Sequence, residues 1–322
     1  MDYYGVYIYP NELTEFWLNQ ILSSGINLVA IHPAGGKAAH EHVNDAINWL
    51  NKPSTQDMLS ELEKSGVAVE YGMHALSWML PRTMFDTNPE WFRLNENNNR
   101  SPDFNMCASN EDALKFLARR AGELVSIFKP STGRHHLWQD DVEKFRCHCG
   151  GCIKYSTSDY ALIIYNAILT GIKAVDPNGR QSYLAYLDTI EPPSQVKPLP
   201  GIFLEYAPIR RDLYKPINDI KSDENRSQVK SLRPLIDFFG NDNAQVLDYW
   251  LDNSKISNWT MPMKKFYLTP DIIRQDAEFY RSLGFSIITC FACFLGDEYV
   301  KLHGDTPDIA GYMKALKNVV NP

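Results

Sequence analysis

Several things are scarce in this 322-residue sequence, and each scarcity removes a class of protein. There is no Lys/Arg-rich run and the formal net charge is -7, which argues against a phosphate-backbone partner, so no nucleic acid is expected. No apolar run reaches the roughly 18 residues of a bilayer span, and the N-terminal MDYYGVYIYP has no basic segment followed by a long apolar one. Neither a membrane partner nor a leader peptide is therefore expected, which fits a cytoplasmic chain or the mature or truncated form of an exported one. G-x-G-x-x-G and G-x-x-x-x-G-K-[ST] are missing, and with them the glycine-rich cradles for nucleotide phosphates. So are the G-x-S-x-G elbow of serine hydrolases and the H-E-x-x-H helix of zinc proteases. Cysteine is sparse, 6 in all, yet three fall within six positions. That clustering fits metal ligation or a strained thiol group better than a secreted disulfide framework.

What is present is ample core material, 44% hydrophobic, arranged in a repeated grammar of helix, glycine, strand. Gly5–Tyr9 reads as a first strand stopped by Pro10, then Thr14–Ser23 as a helix closed by Gly25, then Asn27–Ile31 as a strand closed by His32-Pro33. The pattern returns at Thr55–Ser65, Gly66 and Val67–Tyr71, and again at Pro270–Leu283, Gly284 and Phe285–Thr289. Between them lie a helix at Glu111–Phe128 capped by Ser109, a strand at Arg134–Gln139, and a helix at Ser158–Val175. Strands follow at Tyr183–Leu187, Ile202–Tyr206 and Gln245–Trp250. A helix at Arg226–Phe239 is bent by Pro234 and stopped by Gly240, and a last one runs from Thr306 to Val320. Prolines between Glu191 and Pro200 forbid a helix after the fifth strand. Eight apolar strands alternating with helices, without a nucleotide loop, predict an α/β fold. It is a (β/α)8 TIM barrel with a degenerate fifth helix, occupying residues 1–322 as one domain.

In such a barrel the chemistry sits where strands end. Those positions hold His32, His74 and Trp78, then Asp140 and Asp141, then Asp188, Glu205, Asp248 and Trp250, with Asp297 and Glu298 on the last loop. A ring of carboxylates and aromatics suits glycosidic bond cleavage, which needs two carboxyl groups flanking the bond and apolar ring faces to grip the sugar. Any single acid also suits an N-cap or a surface loop; the coincidence at several strand ends is what favours the site. Asp141 is expected to be the general acid, its pKa raised by neighbouring Asp140 and by partial burial near Trp138. Arg210, close after the sixth strand, suits the carboxylate of an acidic sugar, or else is solvated surface charge. No cofactor is required by this chemistry, and the expected partner is a carbohydrate. Cys147, Cys149 and Cys152, in C-x-C-x-x-C spacing, leave one position of a tetrahedral zinc open; Cys107 suits it, with His148 as the alternative. Free thiols or disulfides are the bland reading of the same residues. Cys290-Phe291-Ala292-Cys293 opens no helix and reads as buried thiols.

The sequence resembles an uncharacterised bacterial family of glycosidase-like TIM barrels, a domain of unknown function whose members often accompany polysaccharide-degrading systems. The residues that carry the resemblance are Asn88-Pro89-Glu90-Trp91-Phe92, Met106-Cys107-Ala108-Ser109-Asn110, Trp138-Gln139-Asp140-Asp141 with the cysteines that follow, Tyr206-Ala207-Pro208-Ile209 and Asp248-Tyr249-Trp250. More distantly it is similar to α-glucuronidases and β-N-acetylhexosaminidases. Similarity to the hexosaminidases implies Asp141 as acid and Asp140 as the carboxylate orienting a substrate acetamido group. Similarity to the glucuronidases implies an acid and base from different strands, Asp141 with Glu205. Of the two, Glu205 is the preferred partner, since the fourth and sixth strand ends face each other across a pocket of sugar-ring size. A catalytically silent carbohydrate-binding barrel is the alternative function.

Overall fold

The computed structural model describes residues 2–317. Eight parallel strands close on themselves in sequence order: β1 (Tyr3–Ile8), β2 (Leu28–Ile31), β3 (Ala68–His74), β4 (Arg134–Trp138), β5 (Arg180–Ala185), β6 (Ile202–Tyr206), β7 (Gln245–Asp248) and β8 (Ile287–Phe291). The expected (β/α)8 barrel is thus the observed one. Gly25 and Gly284 take φ values of 84° and 92°, the left-handed turn that lets a helix end and a strand begin. Between β5 and β6 there is only a short 3-10 turn, Leu187–Thr189, before the prolines, so the fifth helix is missing as expected.

Several local expectations are corrected. The helix at Glu111–Ile127 is capped by Asn110, whose side chain accepts the Ala113 N–H, and not by Ser109. Ser109 turns instead toward the sulfurs of Cys107 and Cys149. The single bent helix expected at 226–239 is two helices, Asp223–Val229 and Leu232–Phe239; Pro234 sits in the first turn of the second, where its missing N–H costs nothing. The Ala39–Leu50 helix had no expectation attached to it. The last helix is described over Ile309–Lys317; its expected end at Val320 lies outside the described residues.

The interior of the barrel is polar. Tyr7, Glu70, Arg134, His136, Glu205, Gln245 and Thr289 come from six strands and meet on the axis, all of them buried. His136 lies between two carboxylates, Nε2 2.9 Å from Glu70 and Nδ1 2.9 Å from Glu205. A neutral imidazole has one N–H and cannot donate to both, so the ring is an imidazolium. Burial alone would lower its pKa, but Glu205 and Glu70 outweigh that and hold it at about 9. Arg134 bonds Glu70 at 3.3 Å and also Gln245, whose Nε2 donates to Glu205 and to Thr289. Two buried cations therefore face two buried anions, and the set is neutral.

On the floor above this network, Gly72 makes room for two aromatic rings. A Cβ there would lie 2.6 Å from the Tyr7 ring and 2.9 Å from that of Trp138. The Trp138 indole N–H is bonded to Glu205 at 2.8 Å.

Replacing His136 with Ala leaves two carboxylates facing each other without a cation. A loss of about 3–5 kcal/mol in unfolding free energy is expected by denaturant titration. The wild-type network also sets a pH window. The contribution of His136 is complete below its unfolded pKa of 6.5 and is lost as pH rises through about 9. Glu70, where burial is overcome by Arg134 and His136 to give about 2, contributes fully above 4.5 and loses that contribution as pH falls toward 2. Melting temperature should therefore peak between pH 4.5 and 6.5 and decline on both sides.

Candidate active site

At the C-terminal end of the strands lies a cavity of about 620 Å³. Its wall includes Tyr9, His32, His74, Trp138, Asp141, Tyr186, Tyr249, Asp252, Trp259, Phe291 and Phe294. Four of the residues expected at the site meet here: His32, His74, Trp138 and Asp141. Each stands at or just past the end of β2, β3 or β4, where the side chain points up the barrel axis rather than into the helix layer.

His32 donates from Nδ1 to the Gly72 carbonyl at 2.8 Å, and burial, with His74 alongside, lowers its pKa to about 4. It is neutral and offers a bare Nε2. His74 likewise bonds the Gln139 carbonyl through Nδ1 at 2.6 Å, which leaves its Nε2 facing Asp141 at 3.8 Å. Tyr186 donates its hydroxyl to the same Asp141 oxygen at 3.0 Å. The Asp141 side chain is 31% exposed and stands at the mouth.

The second carboxylate of the wall is Asp252, which sequence reasoning missed. It lies four residues beyond β7 and caps the short Asn253–Ile256 helix, accepting the Lys255 N–H at 3.2 Å and the Ser254 hydroxyl at 2.5 Å. It is 4% exposed, and burial raises its pKa above the ordinary 3.8. The Asp-x-Ser-Lys capping pattern was legible, but it reads as structural. Trp259, 59% exposed, presents a large apolar ring at the rim. Leu187, Trp259 and Phe294, all in this wall, have positive φ (49°, 53° and 64°). Bulky residues in that region cost of order 1–3 kcal/mol each and gather at functional sites.

The other expected residues are elsewhere. Glu205 has the inward parity but lies one layer too low, sealed beneath Trp138 and bonded to His136, Tyr7, Gln245 and the indole N–H. It does not line the cavity. Asp248 and Trp250 face outward, under the Pro270–Ser282 helix: Asp248 accepts from Arg211 and from the Tyr280 hydroxyl, both at 2.8 Å, and Trp250 donates to Asp276 at 2.8 Å. Trp78 donates to Asn44 and is covered by the Arg120 guanidinium at 4.1 Å. Arg210 pairs with Glu143, and Asp188 accepts the Lys144 N–H. Asp297 accepts the Thr14 hydroxyl, and Glu298 is exposed; neither is part of the wall. Asp140 is turned away from the cavity. It pairs with Arg82 and accepts the Asn105 N–H at 2.6 Å, so it fastens the rim loops and does not stand beside Asp141 in the pocket.

Outside the cavity, Cys107, Cys147, Cys149 and Cys152 bring their sulfurs within 4.8 Å of one another, while His148 turns to Glu96. Cys290 and Cys293 are buried free thiols, as expected, though Cys293 also touches the cavity.

Fold and cavity together define a TIM barrel with an aromatic-walled, acid-bearing pocket at the C-terminal ends of its strands. Residues 40–314 match the family described as Domain of unknown function (DUF4838), and the chain belongs to it. No curated protein matches the sequence. Among solved structures, a β-galactosidase from the psychrophilic Marinomonas ef1 is 12% identical with a TM-score of 0.50, over 89% of this chain; the chain spans 53% of that enzyme's length. A Bacteroidetes-affiliated GH5 cellulase linked with a polysaccharide utilization locus is 9% identical, TM-score 0.49, covering 95% of this chain and 84% of that one. The tandem GH20 catalytic modules of the pneumococcal exo-β-D-N-acetylglucosaminidase give 10% identity and 0.46, covering 99% and 85%.

Adjacent aspartates with opposite surroundings should respond oppositely to truncation. Asp140→Ala strands Arg82 and the Asn105 N–H and should cost about 3 kcal/mol of stability. Asp141→Ala removes one hydrogen bond at a partly exposed position and should cost about 1 kcal/mol or less. Thermal denaturation of the two variants side by side measures the difference.

Proposed function

We propose that this chain is a glycoside hydrolase in which Asp141 and Asp252 form the carboxyl pair. The observation that carries the reading is their placement in one aromatic-walled cavity of sugar size, from the ends of different strands. Asp141 stands at the mouth, where a leaving group departs to solvent, and is assigned as general acid. Asp252 lies deeper and is assigned to the anomeric centre, as nucleophile or as base for a water. Tyr186 fixes the orientation of Asp141, and the His74 imidazole stands beside it with Nε2 3.8 Å away. Tyr249, Phe291 and Trp138 give the sugar apolar faces, and Trp259 extends the platform at the rim.

No Lys or Arg lines this cavity among the described residues. Arg210, which would have matched an acidic sugar, is engaged by Glu143 outside it. The substrate class favoured by the wall is therefore a neutral or amino sugar. Asp140 being turned away also removes the residue that an acetamido-assisted mechanism would use to orient its substrate.

Rates on a panel of aryl glycosides and on a natural linkage test the roles. Asp141→Asn should lower turnover of the natural linkage by about 10²–10⁴, while sparing an aryl glycoside with a good leaving group. Asp252→Asn should abolish both, and the reverse pattern would exchange the two roles. Sugar binding with no turnover by the wild type would establish the silent carbohydrate-binding alternative. Because burial raises the pKa of Asp252, and because it must be ionised to act, the acid limb of the pH–rate profile should lie above the 3.8 of an ordinary aspartate. An acid limb at or below 3.8 would remove Asp252 from this role.

A further inference from the structure

The four cysteines that meet outside the cavity come from two separate rim loops. Cys107 lies between β3 and β4, and Cys147, Cys149 and Cys152 lie between β4 and β5. Three are buried and one is half-buried, none is in a disulfide, and the Cys107 and Cys149 sulfurs are 3.6 Å apart. A regular tetrahedron of thiolates at about 2.3 Å from a central ion has edges of roughly 3.8 Å, and the observed spread, all within 4.8 Å, fits that figure. Inorganic sulfides and several irons would need to spread the same sulfurs further apart, so a single ion fits better than a cluster.

The surroundings are those of a thiolate site. The Leu94 N–H donates to the Cys147 sulfur at 3.3 Å, and the Arg100 guanidinium lies 3.9 Å from the same atom. The Ser109 hydroxyl is 3.3 Å from the Cys107 sulfur and 3.2 Å from that of Cys149. Four cysteine sulfurs gathered this closely without a disulfide are the donor set of a single soft or borderline dication.

We propose that Cys107, Cys147, Cys149 and Cys152 bind one zinc ion, which clamps the β3–β4 loop to the β4–β5 loop and so holds Asp141 in place. The site is saturated by protein ligands, which makes it structural rather than catalytic. Its mechanical link to the cavity is short. Asn105, two residues before Cys107, gives its backbone N–H to Asp140 and its side-chain amide to the Phe145 carbonyl at 3.1 Å. The His148 N–H closes on the Leu94 carbonyl at 2.8 Å. Asp141 therefore sits on a segment pinned at Asp140 on one side and at Cys147 on the other. The zinc assignment does not depend on the glycosidase reading.

Elemental analysis of the protein purified without added metal, after gel filtration, should give about one zinc per chain. Thiol titration of the native protein should leave the four ligands unreactive until the zinc is removed by a chelator, after which four further thiols react. Replacing zinc with cobalt(II) should produce the sulfur-to-metal charge transfer and intense visible bands of a tetrahedral thiolate site. The melting temperature should fall on chelation and recover with zinc. Cys147→Ser and Cys152→Ser should reduce the zinc content to well below one per chain; should these variants fail to fold, the metal content and cobalt spectrum of the wild type still decide. Stoichiometric iron, a disulfide among these four found by mass spectrometry, or a metal-free protein whose melting temperature zinc does not change would each overturn the proposal.

Discussion

The ion set along the barrel axis is what the rest of this structure depends on. Glu70, Arg134, His136 and Glu205 are all desolvated, and any one of them alone would be prohibitively costly in such a place. Together they cancel charge and hydrogen-bond one another, with only the Arg134 Nε left without a partner among the four. Glu205 extends the set upward, taking the indole N–H of Trp138, and Trp138 is the floor of the cavity. The polar core thus fixes the height and tilt of the surface on which a ligand rests.

The barrel itself was largely legible, because its helix–glycine–strand punctuation is a local signal repeated along the chain. β6 was read to the residue, since Ile202-Phe203-Leu204-Glu205-Tyr206 is bounded by Gly201 and by Pro208. Strand β8 begins two residues later than expected: the Phe285 N–H still bonds back to the Tyr280 carbonyl of the preceding helix, and the ladder starts at Ile287. Parity explains two of the site errors, Asp248 and Trp250. Along β7 and its extension, Gln245, Leu247 and Tyr249 face the axis, while Asp248 and Trp250 face the helix layer, where Arg211 and Asp276 receive them. A conspicuous Asp-Tyr-Trp triplet thus offered two structural residues and one pocket residue, Tyr249.

Parity was not enough for Glu205, which faces inward as expected yet sits a layer too deep. Height within a barrel depends on how neighbouring strands are staggered, and one strand's sequence does not carry that information. Asp252 illustrates the converse. It lies past the strand end, its capping role is visible, and only the folded loop shows that the same side chain also walls the cavity. Trp259 lies further still from any strand, and nothing in its neighbourhood of the sequence marks it as part of the rim.

Gly72 sets a limit on how this architecture can vary. Because no Cβ fits between the Tyr7 and Trp138 rings, the two lie near-parallel, 17° apart, and the tryptophan can rest low in the barrel. A single methyl group at that position would have to be accommodated by lifting the indole, shortening the space above it and breaking its tie to the ion set below. The reach of a bound ligand toward the barrel axis is thus governed by an atom that is missing. The loops at the mouth, where Trp259 and Asp141 stand, are free of that constraint.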